Sequence, residues 1–263
     1  MKTRVITAIM ALAIFVPMVV AGGWWIQALA AALALVATSE IVLMRRTLLI
    51  DFGAILAMVG AVVMTIPDAF WQTVNTPVVL HRSSLLYIFV LLMLVHTVVA
   101  KNKFNFEDAG VFTLAMMYVG IGFHMLVQAR AEGITTLFFV LLIVWVTDSG
   151  AYMVGRKLGK HKLAAHISPN KTWEGSIGGT LLAVLVAAIY VYFFPQRYNW
   201  SLMVLIAFIL SIAGQLGDLI ESALKRFYKV KDSGDILPGH GGILDRFDSM
   251  LIAFPVFYLL GGF

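Results

Sequence analysis

Nine runs of apolar residues, most of them about 20 long, follow one another along this chain with short polar breaks, and they limit the folds open to it. They lie near residues 5–22, 24–44, 48–66, 84–100, 109–128, 135–155, 175–194, 200–220 and 249–263. As a helix, a run of about 20 apolar residues matches the ~30 Å hydrocarbon core of a bilayer. A closed barrel would instead show alternating segments of about ten residues, and these runs are continuous. With 61% of residues hydrophobic and only 13% charged, an ordinary soluble domain is excluded. The chain reads as an all-α polytopic membrane protein of about nine transmembrane helices. The first run follows Lys2 and Arg4 and ends at Ala21, Gly22 and Gly23, as a signal peptide would. Because eight more runs follow, it is read as a retained helix.

The basic residues orient these helices. With the N-terminus in the cytoplasm, the cytoplasmic segments hold 16 of the 19 Lys and Arg residues, and the other side keeps only Arg82, Arg130 and Arg197. Positive charge gathers on the cytoplasmic side of membrane proteins, so this orientation is expected. The same rule accounts for the net charge of +5 without nucleic-acid binding. Cysteine is absent, which excludes disulfides and thiolate metal sites.

The two halves differ in their polar content. Residues 1–134 read as a scaffold and lipid-facing bundle, and residues 135–263 as a catalytic region with cytoplasmic loops at 156–174 and 221–248. In the first half, His96 and His124 read as packing histidines, and Glu40 as a partner of Arg45 or Arg46 one helical turn on. In the second half, residues 222–248 (SALKRFYKVKDSGDILPGHGGILDRFD) place five basic residues, four acids and one histidine in 27 positions. Asp218, Glu221, Ser222 and Lys225 share one helical face by their spacing. Asp218, Asp245 and Asp248 frame a glycine-rich loop in which Gly239, Gly241 and Gly242 let backbone N–H groups approach an anion. Carboxylate oxygens with room for water and phosphate suit Mg²⁺, and the interleaved lysines and arginines suit a polyphosphate. Asp148 lies at membrane depth, where a carboxylate needs a basic or metal partner. Ser168 and Pro169 predict an N-cap and first helical residue, with Asn170, Lys171 and Thr172 in the first turn, where free N–H groups favour phosphate. No P-loop or G-x-G-x-x-G fingerprint occurs, so the standard soluble nucleotide folds are excluded.

At these residues the chain resembles the phosphatidate cytidylyltransferases, also called CDP-diacylglycerol synthases. Their signature runs S-x-hydrophobic-K-R-x(4)-K-D-x-small-x(2)-hydrophobic-P-x-H-G-G-hydrophobic-x-D-R-hydrophobic-D, and residues 222–248 meet every specified position. The stretches DSGAYMVGRKLGKHKL and SPNKTWEG are also similar, so the likeness is close over about residues 145–263. Residues 1–140 match only in hydrophobicity and span count.

The resemblance implies Mg²⁺-dependent transfer of CMP from CTP to phosphatidate, with a second, monovalent cation left open. It implies metal binding by Asp218, Asp245 and Asp248, and phosphate binding by Lys225, Arg226, Lys231 and Arg246. Asp232 and Ser222 belong to the same signature. His240 and the turn at 239–242 would shape the nucleotide pocket, which Asp148, Asn170, Lys171 and Thr172 would complete. A homodimer follows from the resemblance alone. Brevity suggests a bacterial inner-membrane enzyme with its site on the cytoplasmic face, where soluble CTP and membrane lipid meet. The rival readings are transfer to another lipid phosphate and an ion or solute transporter using Asp148, Asp218 and Glu221. Charges crowded toward one face count against the transporter.

Overall fold

Backbone N–H and C=O groups in lipid have no water to bond, so an apolar run satisfies itself as a helix. The structure, a computed structural model describing residues 2–67, 70–71, 81–239 and 241–263, forms a helix in each of the nine apolar runs. These are α1 (Lys2–Ala21), α2 (Gly23–Met44), α3 (Phe52–Thr65), α4 (Arg82–Val99), α5 (Phe106–Glu132), α6 (Ile134–Leu158), α7 (Trp173–Phe193), α8 (Trp200–Phe227) and, after the four-residue α9 (Leu244–Phe247), α10 (Met250–Leu259). Among the described residues six helices are long and apolar enough to cross a membrane, namely α2 and α4–α8. The apolar segments Ile9–Ala21, Phe52–Thr65 and Met250–Leu259 are shorter.

The helices group into two compact units. One contains Met1–Gln128 and Asp232–Leu244, and the other contains Ala129–Lys231 and Asp245–Phe263. In the first unit α3 supplies a core face of small residues, with Ala54, Ala57 and Ala61 wholly buried beside Met93, Phe112 and Met116. Arg45 forms an ion pair with Asp108 in this unit. His96 packs its ring between Phe52 and Phe104, at centroid distances of 4.9 Å to each. His124 is buried, with Nδ1 3.3 Å from the Thr65 carbonyl. Both histidines therefore sit in packed surroundings, as their sequence context predicts.

In the second unit α6, α7 and α8 pack on one another, and α10 packs on α8. Small residues let α6 and α7 approach closely, as in membrane helix pairs generally. A Cβ at Gly179 would lie 2.5 Å from the Thr147 carbonyl oxygen and 2.8 Å from the Ala151 nitrogen. A polar seam runs through this packing. The Thr147 and Ser211 hydroxyls are 2.8 Å apart, Ser211 donates to Thr180 Oγ1 at 3.0 Å, and Gln215 donates to the same oxygen at 2.9 Å.

The connection between α6 and α7 departs from the sequence expectation. Residues expected to start a helix form an antiparallel hairpin, β1 (Lys162–Ala164) with β2 (Ser168–Thr172), registered Lys162 to Thr172 and Ala164 to Ser168. Helix α7 begins at Trp173, and Thr172 takes the cap, its Oγ1 accepting from the Gly175 N–H at 3.1 Å. Thr172 is β-branched, so it serves the end of a strand and still offers a capping oxygen. Ser168 loses the competition because the strand pairing already satisfies that backbone.

Gly179→Leu is expected to lower the thermal unfolding temperature of the detergent-purified protein, at a cost of about 1–3 kcal/mol or more for overpacking. Gly110→Ala, where a Cβ meets nothing within 4 Å, should leave it unchanged or slightly raised.

Candidate active site

Helices α6, α7 and α8 bring one set of ends together, and a cleft of about 410 Å³ opens among them. Helix α8 has 28 residues and so is about 42 Å long, some 12 Å more than a ~30 Å hydrocarbon core needs. Its last turns, from near Asp218 onward, are therefore long enough to reach the polar boundary. Asp148 lies ten residues before the end of α6, roughly 15 Å along the axis. The cleft thus cuts into the bundle and is not a surface depression at its tips.

Each wall delivers its polar groups from a different element. Helix α6 supplies Asp148 and Tyr152, strand β2 supplies Ser168, Asn170, Lys171 and Thr172, and α7 supplies Ser176. Helix α8 supplies Gln215 and Asp218, α9 supplies Asp245 and Arg246, and Asp248 follows directly after it. The Lys171 ammonium sits 2.5 Å from Asp218 Oδ2, and Ser222 donates to the other oxygen of Asp218 at 3.3 Å. Asp248 Oδ1 accepts from the Ser249 N–H at 2.6 Å.

Eight of the residues singled out from sequence therefore meet in one place: Asp148, Asn170, Lys171, Thr172, Asp218, Asp245, Arg246 and Asp248. Others stand behind them. Lys225 does not line the cleft; its ammonium lies 2.5 Å from Glu221 and 2.6 Å from Asp245. The cluster is shielded behind the cleft wall, with the Glu221 side chain fully buried, Lys225 largely so, and Asp245 linking it to the cleft lining. Arg226 braces the hairpin turn, donating to the Ile167 carbonyl at 3.3 Å and to that of Val230 at 3.2 Å. Lys231 and Asp232 are exposed and outside the cleft lining. Gly239, Gly241 and Gly242 belong to the segment Asp232–Leu244 of the first unit, the first two with φ of 80° and 82°. His240 lies outside the described residues.

Tyr152, Ser168, Ser176 and Gln215 join the lining without having been picked out as site residues. The signal for two of them was available. Tyr152 follows Asp148 by four residues and Gln215 precedes Asp218 by three, so each shares a helical face with a chosen carboxylate.

The electrostatics are lopsided. The described lining carries four carboxylates (Asp148, Asp218, Asp245 and Asp248) against two cations, Lys171 and Arg246. Burial pushes the Asp248 carboxyl up to about 7, with Asp218 and then Asp148 adding to the rise while Ser249 N–H and Lys171 oppose it. Among the described residues no three His, Asp or Glu side chains stand together closely enough to hold a metal ion by themselves. Mg²⁺ needs less, since it commonly takes one or two carboxylates and completes its shell with water and phosphate oxygens. Asp218 and Asp248 are hard oxygen donors in a cleft with surplus negative charge, so the residues fit such an ion.

A carboxyl raised from its ordinary 3.8 to about 7 keeps a proton in the native state that the unfolded chain has already lost. The native state therefore loses relative stability as pH climbs through that interval. In metal-free buffer the melting temperature of the wild type should fall relative to Asp248→Asn between pH 4 and pH 7. A constant gap between the two melting curves would contradict this placement of Asp248.

Known proteins are similar to this sequence along nearly its whole length. A sequence model of the cytidylyltransferase family matches residues 2–263. The chain is 43% identical over 260 residues to a phosphatidate cytidylyltransferase of Staphylococcus haemolyticus, an alignment covering 99% of this chain and 98% of that one. It is 42% identical, over the same shares, to phosphatidate cytidylyltransferases of Staphylococcus epidermidis and Staphylococcus aureus. The resemblance first visible in residues 222–248 thus extends through the first half, where the residues alone carried only hydrophobicity. An all-α membrane bundle with a polar cleft, matched along its whole length in this way, belongs to the cytidylyltransferase family.

Proposed function

We propose that this protein transfers CMP from CTP to phosphatidate, giving CDP-diacylglycerol and pyrophosphate. The observation that carries this reading is the cleft itself, where Lys171 and Arg246 stand among four carboxylates beside an apolar groove. That groove, about 330 Å³, runs along α7 and α8 and shares Leu163, Ser176 and Gln215 with the polar cleft. A substrate with a phosphate at one end and hydrocarbon at the other matches this joined pair of surfaces.

The chemistry requires little beyond positioning and charge control. A phosphate oxygen of the lipid, already anionic, attacks the α-phosphorus of CTP. The bond from that phosphorus to the bridging oxygen breaks, and pyrophosphate leaves with the electron pair. Lys171 and Arg246 would hold phosphate oxygens in line, as a point charge and a planar fork respectively. Bound Mg²⁺ would supply the positive charge that lets a polyphosphate enter a cleft with excess carboxylate, with Asp218 and Asp248 as its protein donors. A second, monovalent cation is part of the same proposal. Lys225 would act through Asp245, fixing that carboxylate with its counter-charge.

The placement of basic residues, 16 against 3, supports a cytoplasmic N-terminus, about nine spans, and a site on the cytoplasmic face of a bacterial inner membrane. The homodimer expected of the family is proposed on that likeness alone.

Label from α-labelled CTP should enter chloroform-soluble lipid when purified protein is given phosphatidate and Mg²⁺, and chelator should abolish it. Asp218→Asn and Asp248→Asn should each lower kcat by roughly 100-fold or more, the scale of losing transition-state charge control. Folded protein that transfers nothing would end this reading, and competition with other lipid phosphates and nucleotides tests the choice of substrates. Ile177→Trp, filling the apolar groove, should raise the KM for phosphatidate by about 10-fold and leave that for CTP unchanged. An equal rise in both would show that the groove is not a separate lipid site.

A further inference from the structure

Glu40 is a buried acid that the transfer chemistry does not use. It lies one turn before the C-terminal end of α2, only 1% exposed, in the first unit. Its carboxylate turns to the segment Asp232–Leu244, a stretch about 200 residues away in sequence but part of the same unit. Oε1 accepts from the Ile243 N–H at 2.7 Å. Oε2 accepts from the Leu244 N–H at 2.9 Å and from the Ser233 hydroxyl at 2.8 Å. One side chain thus holds the two ends of the glycine-rich loop together.

The loop is shaped to admit that carboxylate. A Cβ at Gly242 would run into Glu40 Oε2 and the Ser233 hydroxyl, and one at Gly234 would lie 3.0 Å from Glu40 Oε1. Two smaller contacts complete the enclosure: Thr7 donates to the Pro238 carbonyl at 3.2 Å, and the Leu237 N–H donates to the Gly241 carbonyl at 3.0 Å. Two backbone N–H groups and a hydroxyl directed at a buried carboxylate form a charge-assisted clamp. A helix of lipid-facing character has no reason to keep a buried acid at this position for packing alone.

We propose that Glu40 is a positioning residue for nucleotidyl transfer, fixing the loop that delivers Asp245 and Arg246 to the cleft. The peptide bond after Leu244 leads directly to those two residues, and both line the cleft. Glu40 itself touches neither substrate nor reacting atoms in this scheme. The inference rests on the proposed transferase activity, but the clamp can be tested without it.

The test uses the full chain in detergent or lipid nanodiscs, with three readouts on Glu40→Gln: transfer kinetics, melting temperature and residue-resolved amide exchange. Gln keeps the shape but not the charge, and its amide group turns a donor toward donors. Exchange at Ile243 and Leu244 is expected to speed up by roughly 10- to 100-fold, as loss of charged hydrogen bonds implies. In the same variant kcat/KM for CTP should fall by a similar factor, while protection in α3 and α4 stays near wild type. Ser233→Ala, which removes one donor and spares the carboxylate, should give a smaller change of roughly fivefold in both readouts, and it carries the test if Glu40→Gln does not fold. Unchanged exchange overturns the clamp. Local acceleration without loss of kcat/KM overturns the positioning role, and so does loosening spread evenly through the first unit. If the wild type transfers no label, the transferase reading fails on its own, and the exchange data still decide whether Glu40 holds the loop.

Discussion

A carboxylate inside a helical membrane bundle persists only where a cation, hydrogen bonds or water offset its burial, and the second unit is organised around meeting that demand. Lys225 is shared by Glu221 and Asp245, and Lys171 is paired with Asp218. These pairs leave Asp148 and Asp248 in the cleft with less counter-charge than they need, and Asp248 responds by holding its proton up to about pH 7. Two like charges close together cannot both ionise cheaply, so such a cleft favours the arrival of positive charge. A bare polyphosphate would add to the surplus, whereas one carrying a divalent ion would relieve it. On the proposed reading, the same imbalance that repels a bare nucleotide attracts the cation that would accompany it.

The helical framework was legible because its cause is local. Each apolar run must satisfy its own backbone, and the structure has a helix in each. The spacing of Asp218, Glu221, Ser222 and Lys225 predicted one shared face, and the contacts from Ser222 to Asp218 and from Lys225 to Glu221 join them along it. The hairpin was not legible. Ser168 followed by Pro169 is a good helix start in isolation, and only pairing with Lys162–Ala164 makes it a strand. Moving the helix start to Trp173 puts Asn170 and Lys171 on β2 instead of the first turn, so Lys171 reaches Asp218 from a strand.

The partner of Glu40 was beyond local reading for a different reason. Arg45 and Arg46 lie within two turns of it and make an obvious pairing, yet Arg45 pairs with Asp108 and the Glu40 carboxylate faces residues 233–244. Helical spacing ranks near neighbours, and it carries no information about a loop some 200 positions away. A buried acid does carry one signal: it needs donors, and backbone N–H groups unlocked by glycine are the most economical ones to supply.

That requirement changes the meaning of the glycines in the signature. Read alone, glycines beside lysines and aspartates suggest a backbone cradle for phosphate. Gly239 and Gly241 adopt positive φ, as a tight turn asks. Gly242 and Gly234 are small for another reason, because a Cβ at either would press on Glu40. A glycine-rich loop gives up more conformational entropy on ordering than other sequences do, so leaving it unanchored would cost rigidity where the following residues need it. The clamp offsets that loss at both ends of the loop with a single side chain. Continuity in the signature thus conceals two tasks: Asp245, Arg246 and Asp248 line the cleft, and the glycines ahead of them make room for the acid that holds their approach.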